Sequence, residues 1–180
     1  MPRFIPLVFA LFAGHFANAQ PDSLYVQENG GTVAYAITYP ALSTAESFTY
    51  EGRYTMDTSR VAVRLGYKRG KPCGIYRAWY PDGAPMIFAV YGWGHLEGDW
   101  TEYAPDGRIT VKGRYKQGKR DGSWAFRDQG IIGHYKNGLK DGKWKYYENG
   151  RMVRFERYRN GEPIGGKGRF SSEHAGLHLR

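Results

Sequence analysis

Five times along this chain, a tyrosine is followed three residues later by a glycine and, four residues after that, by a second glycine. A further aromatic residue usually stands two positions beyond the second glycine. The leading tyrosines are separated by 24, 24, 20 and 23 residues, which indicates a repeat protein in which one small unit stacks on the next. The leading tyrosines are Tyr67, Tyr91, Tyr115, Tyr135 and Tyr158.

Each unit contains two signals for a chain reversal. The first is the pair of glycines with the three residues between them, as in the segment from Gly118 to Gly122. The second is a sequence such as Pro81-Asp82-Gly83, in which proline presets its φ angle, aspartate bonds to the backbone and glycine accepts a positive φ. Two reversals in every unit predict one β-hairpin for every unit.

The residues between these reversals have the composition of β-strands. The segment from Ile87 to Tyr91 is mostly β-branched or aromatic, and Trp144-Lys145-Tyr146 alternates aromatic and charged side chains. Outside the N-terminal segment, no stretch shows a helical period. The sequence therefore predicts an all-β fold, an elongated single-layer antiparallel sheet of consecutive hairpin repeats.

A single layer of sheet buries enough surface only if large side chains cover one of its faces. Each tyrosine or tryptophan can bury ~150–250 Å². If the rings of successive units stack, they form a continuous ladder, and glycines opposite them let the rings lie on bare backbone. The predicted ladder consists of Tyr91, Trp100, Tyr115, Trp124, Tyr135, Trp144 and Tyr146.

The beginning of the chain has the pattern of a signal peptide. Arg3 precedes an apolar run, and Ala17-Asn18-Ala19 supplies the small residues of a cleavage site. Residues 1–19 are therefore interpreted as a signal peptide, which predicts export to the periplasm or beyond the cell. A retained membrane anchor is the alternative interpretation.

The rest of the chain divides by its similarity to the repeat. Imperfect copies of the repeat pattern precede the first unit. They indicate a cap, because repeat arrays need atypical ends that protect their edges. The glycine-rich end of the chain is expected to be disordered. The predicted boundaries are a loose segment over residues 20–30, capping strands over 31–66, hairpin repeats over 67–165 and a disordered tail over 166–180.

Positive charge is concentrated in the second half of the chain. Residues 20–107 contain 7 Lys/Arg and 10 Asp/Glu, a net charge of −3, whereas residues 108–170 contain 17 and 6, a net charge of +11. This asymmetry points to an anionic partner, and the alternative is an ordinary solvated surface. The predicted anion-facing residues are Lys116, Lys136, Lys143, Lys145, Arg154 and Arg157.

No catalytic or metal-binding constellation is visible in the sequence. His95 and His134 occupy different parts of the repeat, and His174 and His178 stand in the tail, where a metal site is the weaker interpretation. A single cysteine, Cys73, excludes an internal disulfide. We therefore expect no catalytic residues, no metal and no cofactor, so the protein is expected not to be an enzyme.

The units also resemble a known family. The segments 115–124 and 135–147 carry the pattern Tyr-x-x-Gly-x-x-Asp-Gly-x-Trp, which is similar to the MORN repeat in the bacterial variant found in YwqK-type antitoxins. The resemblance covers roughly residues 60–165. It implies a twisted sheet of hairpins and an association with protein contacts, membrane lipids or toxin neutralisation, although an exported protein cannot meet a cytoplasmic toxin.

These observations predict a non-enzymatic, exported binding or scaffolding module. Its expected partner is a protein or an anionic lipid or polysaccharide, and nucleic acid is disfavoured because the chain is exported. An antitoxin or immunity protein is the alternative function. A hydrolase or lyase is a third hypothesis, which a pocket with two carboxylates of raised pKa would favour. An uncovered sheet edge after residue 165 allows a homodimer by edge pairing.

Overall fold

The fold is a single antiparallel sheet in which each strand pairs with the next strand in the sequence. The computed structural model describes residues 22–28, 31–40 and 43–168. The predicted signal peptide and residues 169–180 of the predicted tail lie outside these residues. Residues 166–168, which were predicted to be disordered, form the end of the last strand because they pair with the strand before it. The 13 strands of the sheet are β1 (Ser23–Glu28), β2 (Gly31–Thr38), β3 (Ser47–Tyr54), β4 (Asp57–Lys68), β5 (Lys71–Trp79), β6 (Pro85–Gly92), β7 (His95–Tyr103), β8 (Ile109–Lys116), β9 (Lys119–Phe126), β10 (Ile131–Lys136), β11 (Leu139–Glu148), β12 (Arg151–Arg159) and β13 (Glu162–Gly168).

This architecture confirms the all-β prediction and the consecutive hairpins. Strand order follows chain order from β1 to β13, and every pairing is antiparallel. Within residues 22–28, 31–40 and 43–168, no helix is long and apolar enough to cross a bilayer.

The tight turns between hairpin strands connect each unit to the one before it. In the turn at Asn137 and Gly138, both residues have positive φ angles, 53° and 87°, which match the right-handed twist of the flanking strands. The amide of Gly138 donates to the carbonyl oxygen of Arg120 at 2.8 Å. A carboxylate oxygen of Asp121 accepts from the amide of Asn137 at 3.2 Å. These bonds fix the position of each hairpin relative to its predecessor.

The two faces of the sheet differ in chemistry. Strand register pairs Trp144 with Glu156 on one face and Lys143 with Arg157 on the other. The ladder face carries Tyr67, Tyr76, Tyr91, Trp100, Tyr115, Trp124, Tyr135, Trp144 and Tyr158. The outer face carries a row of successive cross-strand partners, which are Arg77, Phe88, Thr101, Lys112, Ala125, Ile132, Lys145 and Phe155.

The aromatic rings of the ladder face contact each other from unit to unit. Tyr115 meets Trp124 with ring centroids 5.2 Å apart at 88°, and Tyr135 meets Trp144 at 4.9 Å and 89°. The edge-to-face arrangement brings the positive edge of one ring to the negative face of the next, and each such pair contributes about 0.5–1.5 kcal/mol beyond burial. Trp124 and Trp144 are almost completely buried. Ring contacts therefore form much of the core in the repeat region.

Two strand glycines make room for the tryptophan rings. A Cβ atom added at Gly133 would lie 2.3 Å from the indole of Trp144, and one added at Gly113 would lie 2.2 Å from the indole of Trp124. Both indole N–H groups donate to a backbone carbonyl, and that of Trp144 bonds to His134 at 3.1 Å. Each ring therefore lies flat on its neighbouring strand because that strand has no side chain there.

The N-terminal hairpin lies across the ladder face. Val26 on β1 lines one cavity together with Ile87 on β6 and Glu102 on β7. In sheet order β1 is five strands away from β6, at about 4.8 Å per strand, so this contact requires the hairpin to fold back over the sheet. Sequence analysis predicts a loose segment over residues 20–30, whereas the structure forms β1 there. Leu24 and Val26 are each 4% exposed, and burying this alternating pair accounts for the difference.

We predict that Gly133→Ala destabilises the protein more than Gly142→Ala does. The first change pushes a methyl group into the Trp144 ring and is expected to cost roughly 2–3 kcal/mol in the free energy of unfolding. At Gly142 an added Cβ meets no atom within 4 Å, so only the strain of a φ of 68° remains, roughly 1 kcal/mol. Urea unfolding of both variants measures the difference. Equal losses would contradict ring packing on bare backbone.

Candidate functional site

Five of the six predicted anion-facing residues lie on the outer face. Alternation along β8, β10, β11 and β12 places them there, and among residues 22–28, 31–40 and 43–168 none of the five forms an ion pair. The same face of β8 adds Lys112 and Arg114, which the prediction did not include. The five predicted residues on this face are Lys116, Lys136, Lys143, Lys145 and Arg157.

Arg154 lies on the other face of the sheet. It pairs across strands with Tyr146, its guanidinium carbon is 3.4 Å from the centre of the Tyr146 ring, and it forms an ion pair with Glu156. Its side chain is only 10% exposed. A charge that is already neutralised and covered is poorly placed to meet a ligand, so we leave Arg154 out of the anion-facing set.

A group of cations without ion-pair partners among the described residues surrounds Phe155 on the outer face. The ammonium of Lys143 lies 4.0 Å from the centre of the Phe155 ring, and the guanidinium carbon of Arg157 lies 5.7 Å from it. Lys143 and Arg157 are direct cross-strand partners, and Lys145 is the partner of Phe155. Like charges placed directly opposite each other destabilise a strand pair. A bound anion would relieve that repulsion.

Glu156 is the acceptor of a closed polar cluster on the ladder face. It accepts hydrogen bonds from the hydroxyl groups of Tyr146 and Tyr158, at 2.6 and 2.7 Å, and from the guanidinium of Arg154. Burial raises the pKa of Glu156, but these bonds and the charge of Arg154 outweigh burial, so the net pKa is below its ordinary value. The cluster stabilises the fold and has no free group for a ligand.

Two cations on the ladder face cover tryptophan rings. Arg120 lies 4.7 Å from the centre of Trp124, and Lys140 lies 4.3 Å from the centre of Trp144. Burial lowers the pKa of Lys140. Both residues are the middle residue between the paired glycines of their unit, a position that Leu96 fills in an earlier unit. These two cations therefore pack where an apolar side chain packs in the earlier unit. The positive charges in this part of the chain thus fall into two groups, those that pack on the ladder face and those that are exposed on the outer face.

A cavity of about 200 Å³ lies between β1 and the ladder face. Its walls are mostly apolar or aromatic, and Glu102 and Asp128 are its two carboxylates. Asp128 forms an ion pair with Arg108. The lining residues are Tyr25, Val26, Gln27, Tyr80, Met86, Ile87, Glu102, Tyr103, Ala104, Pro105, Thr110 and Asp128.

Glu102 is the one buried carboxylate among the residues that the structure describes, with 7% of its surface exposed. Its Oε1 atom accepts a hydrogen bond from Nε1 of Trp100 at 2.8 Å. Burial raises the pKa of Glu102, and neither this bond nor the charge of Arg120 fully offsets that effect. Asp128, the other carboxylate of the cavity, has Arg108 as its cationic partner, and the hydrolase hypothesis stays a prediction.

Sequence analysis did not identify Glu102, although a signal for it exists. The residue two positions after the tryptophan of a unit is Phe126 in one unit and Tyr146 in the next, and both contribute rings to the ladder face. The unit of Trp100 has a glutamate at that position. A carboxylate where the register demands a buried side chain identifies a candidate site.

The remaining candidate residues lie apart from the cavity and from each other. Nε2 of His95 is 3.5 Å from an oxygen of Glu97, and His134 lies on the outer face of β10. Cys73 is a free, half-buried thiol within β5. The part of the chain that the structure describes has no group of three or more His, Cys, Asp or Glu residues that could hold a metal ion. His174 and His178 lie outside the described residues.

Compared with known proteins, the chain matches no protein-family model and no curated protein. Its chemistry must therefore be inferred from its own residues.

We predict opposite effects of pH on stability for Glu102→Gln and Glu156→Gln. The folded pKa of Glu102 is raised, so its contribution to stability is present below the unfolded value of about 4.5 and is lost as pH rises through the folded pKa. Glu102→Gln should therefore raise the melting temperature at pH 7 and have little effect near pH 4. Thermal unfolding across this range measures both variants.

The folded pKa of Glu156 is lowered, so its contribution is present above the unfolded value and is lost as pH falls through the folded pKa. Glu156→Gln should lose roughly 2–3 kcal/mol at pH 7, because two hydroxyl groups and a guanidinium lose a charged acceptor. The loss should shrink below pH 4. Parallel pH profiles for the two variants would contradict the assignment of their environments.

Proposed function

We propose that this protein is an exported, non-enzymatic binding module whose outer face holds an anionic ligand of the cell envelope. The observation that carries the proposal is the group of Lys143, Lys145 and Arg157 around Phe155, where cations stand together without carboxylate partners among the described residues. We also propose that the hairpins are MORN-like repeats, since the tyrosine, glycine and tryptophan registers agree over successive units.

The spacing of cations along the outer face favours an extended ligand. The central row of this face crosses strands in steps of about 4.8 Å, and it carries Lys112 on β8 and Lys145 on β11. A polyanion with repeated charges can contact several such cations at once, whereas a single small anion meets one or two. An acidic polysaccharide is therefore the ligand class that we propose, and exposed apolar Ile132 in the same row provides contact for sugar rings.

We predict that the triple variant Lys143→Gln, Lys145→Gln and Arg157→Gln loses affinity for polygalacturonate by about tenfold or more. The reason is the loss of three charges that face the same ligand, and the wild-type affinity should fall steeply with salt. Biolayer interferometry over a salt series measures both effects. Binding that ignores salt, or equal binding to neutral dextran, would overturn the proposal.

The matched control removes the same net charge from cations that already have carboxylate partners. Arg53, Arg60 and Arg69 each form an ion pair on the surface of the cap strands or their turns. Replacing all three by glutamine should reduce affinity only slightly, because the cations around Phe155 remain. If both triple variants lose affinity equally, overall charge and not the outer-face cluster controls binding.

An antitoxin or immunity protein remains the second candidate, favoured only by the resemblance of the repeat. A protein partner captured from the envelope, with an affinity that salt and the outer-face variant leave unchanged, would support this function. Binding to anionic vesicles but not to polygalacturonate would instead identify a lipid ligand. Edge pairing into a homodimer stays a prediction, and β13 is one of the two end strands of the sheet, with β1 at the other end.

A further inference from the structure

The cavity beneath β1 has the size and lining of a small-molecule site. At about 200 Å³ it exceeds the volume of about 150 Å³ that suffices to hold benzene in an apolar protein interior. Ligand sites are typically concave and mostly apolar, with a few convergent polar groups that fix orientation. Met86 and Ile87 form part of the apolar wall, and Glu102 and Thr110 are buried polar residues on the same wall.

The carboxyl of Glu102 is buried in this cavity without a cation at ion-pair distance among the described residues. One of its oxygens accepts the Trp100 indole N–H, which is a neutral donor. Arg120 acts on it electrostatically but does not line the cavity, and its guanidinium lies over the Trp124 ring. Burial without a direct cationic partner holds the pKa of Glu102 above its ordinary value. A cation placed in the cavity would supply that partner.

Aromatic rings around the carboxylate fit the same ligand chemistry. Tyr25, Tyr80 and Tyr103 line the cavity from three different parts of the chain. The faces of aromatic rings attract organic cations, most strongly where water is excluded. The hydroxyl of Tyr80 is already engaged as a donor to the carbonyl oxygen of Tyr103 at 2.8 Å, so this residue presents chiefly its ring to a ligand.

We propose that this cavity binds a small organic cation, an alkyl- or arylammonium, with its ammonium group at Glu102 and its apolar part against Met86 and Ile87. This site lies under β1 on the ladder face, whereas the proposed anion site lies on the opposite face of the sheet. The two sites differ in the sign of the charge that they accept, and either can fail without the other.

The first test compares three probes of nearly equal shape by titration calorimetry at pH 7.5. 2-Phenylethylammonium carries the charge, 2-phenylethanol lacks it, and phenylacetate reverses it. We expect the ammonium to bind at least about tenfold more tightly than the alcohol, and phenylacetate not to bind. Equal binding of ammonium and alcohol, or no binding of the ammonium, would overturn the proposal.

The second test locates the charge that the ligand meets. Glu102→Gln removes the buried carboxylate and keeps its shape, and it should weaken 2-phenylethylammonium by about tenfold or more. Asp99→Asn on the same strand is the matched control, because Asp99 is exposed on the outer face and its variant changes net charge equally. Its effect should stay within about twofold. Equal losses in both variants would refute a contact at Glu102.

The third test needs no variant and holds even if Glu102→Gln fails to fold. The charged or titratable groups around Glu102 are Tyr25, Tyr80, Tyr103, Tyr115, Arg120 and the Asp128 ion pair with Arg108. Burial raises the pKa of Tyr80 to about 12 and that of Tyr115 above its ordinary value, so both stay neutral between pH 4 and 8.

Over this range the affinity for 2-phenylethylammonium should fall as pH falls, because the ligand must then displace a proton from Glu102. Calorimetry in two buffers of different ionisation enthalpy should show proton release on binding near the pKa of Glu102. A constant affinity from pH 4 to 8 would contradict the proposal. The outer-face triple variant should bind this ammonium as the wild type does, which separates the two sites experimentally.

Discussion

The structure depends on aromatic rings that lie directly on the backbone of a neighbouring strand. Apart from the region under β1, this single antiparallel sheet has no second layer to cover it, so its core must be built on one of its own faces. Trp124 and Trp144 supply that cover, and each occupies the space left by a glycine, Gly113 or Gly133. Tyr135 bridges the two rings edge to face. Each hairpin is therefore stabilised by its contacts with the next hairpin, as expected for a repeat protein.

Because one face is used for cohesion, the two faces give the same residue types different roles. Lys140 covers the Trp144 ring on the ladder face, where burial lowers its pKa, whereas Lys143, three residues later, faces outward beside Arg157. The carboxylates divide in the same way. Glu156 has three donors that keep it ionised, whereas Glu102 is buried in a cavity with one neutral donor. The side chain's face and partners, not its type, decide whether it stabilises the fold or remains available to a ligand.

The sequence predicted the repeat region well, because its turns and rings are local signals. Positive φ angles occur at Gly118 and Gly138, where the glycine pairs place the turns. The site was predicted less well. Arg154 was grouped with the outward cations, although register places it on the ladder face beside Tyr146. Arg154 and Arg157 are three residues apart in a run of regular pairing with β11, so alternation along the strand places them on opposite faces, and the prediction grouped these cations by charge without applying that alternation.

The sequence by itself determined the hairpins, their order and the rings that hold them, since a turn and the alternation beside it involve only neighbouring residues. The tertiary structure alone decided that β1 folds back over the sheet and forms a cavity around Glu102, whose place on the ladder face the repeat register already indicated. That contact joins segments about 60 residues or more apart in the chain, between Val26 and Met86. No local pattern encodes such a distance, because burial of a surface depends on which distant strand comes to cover it.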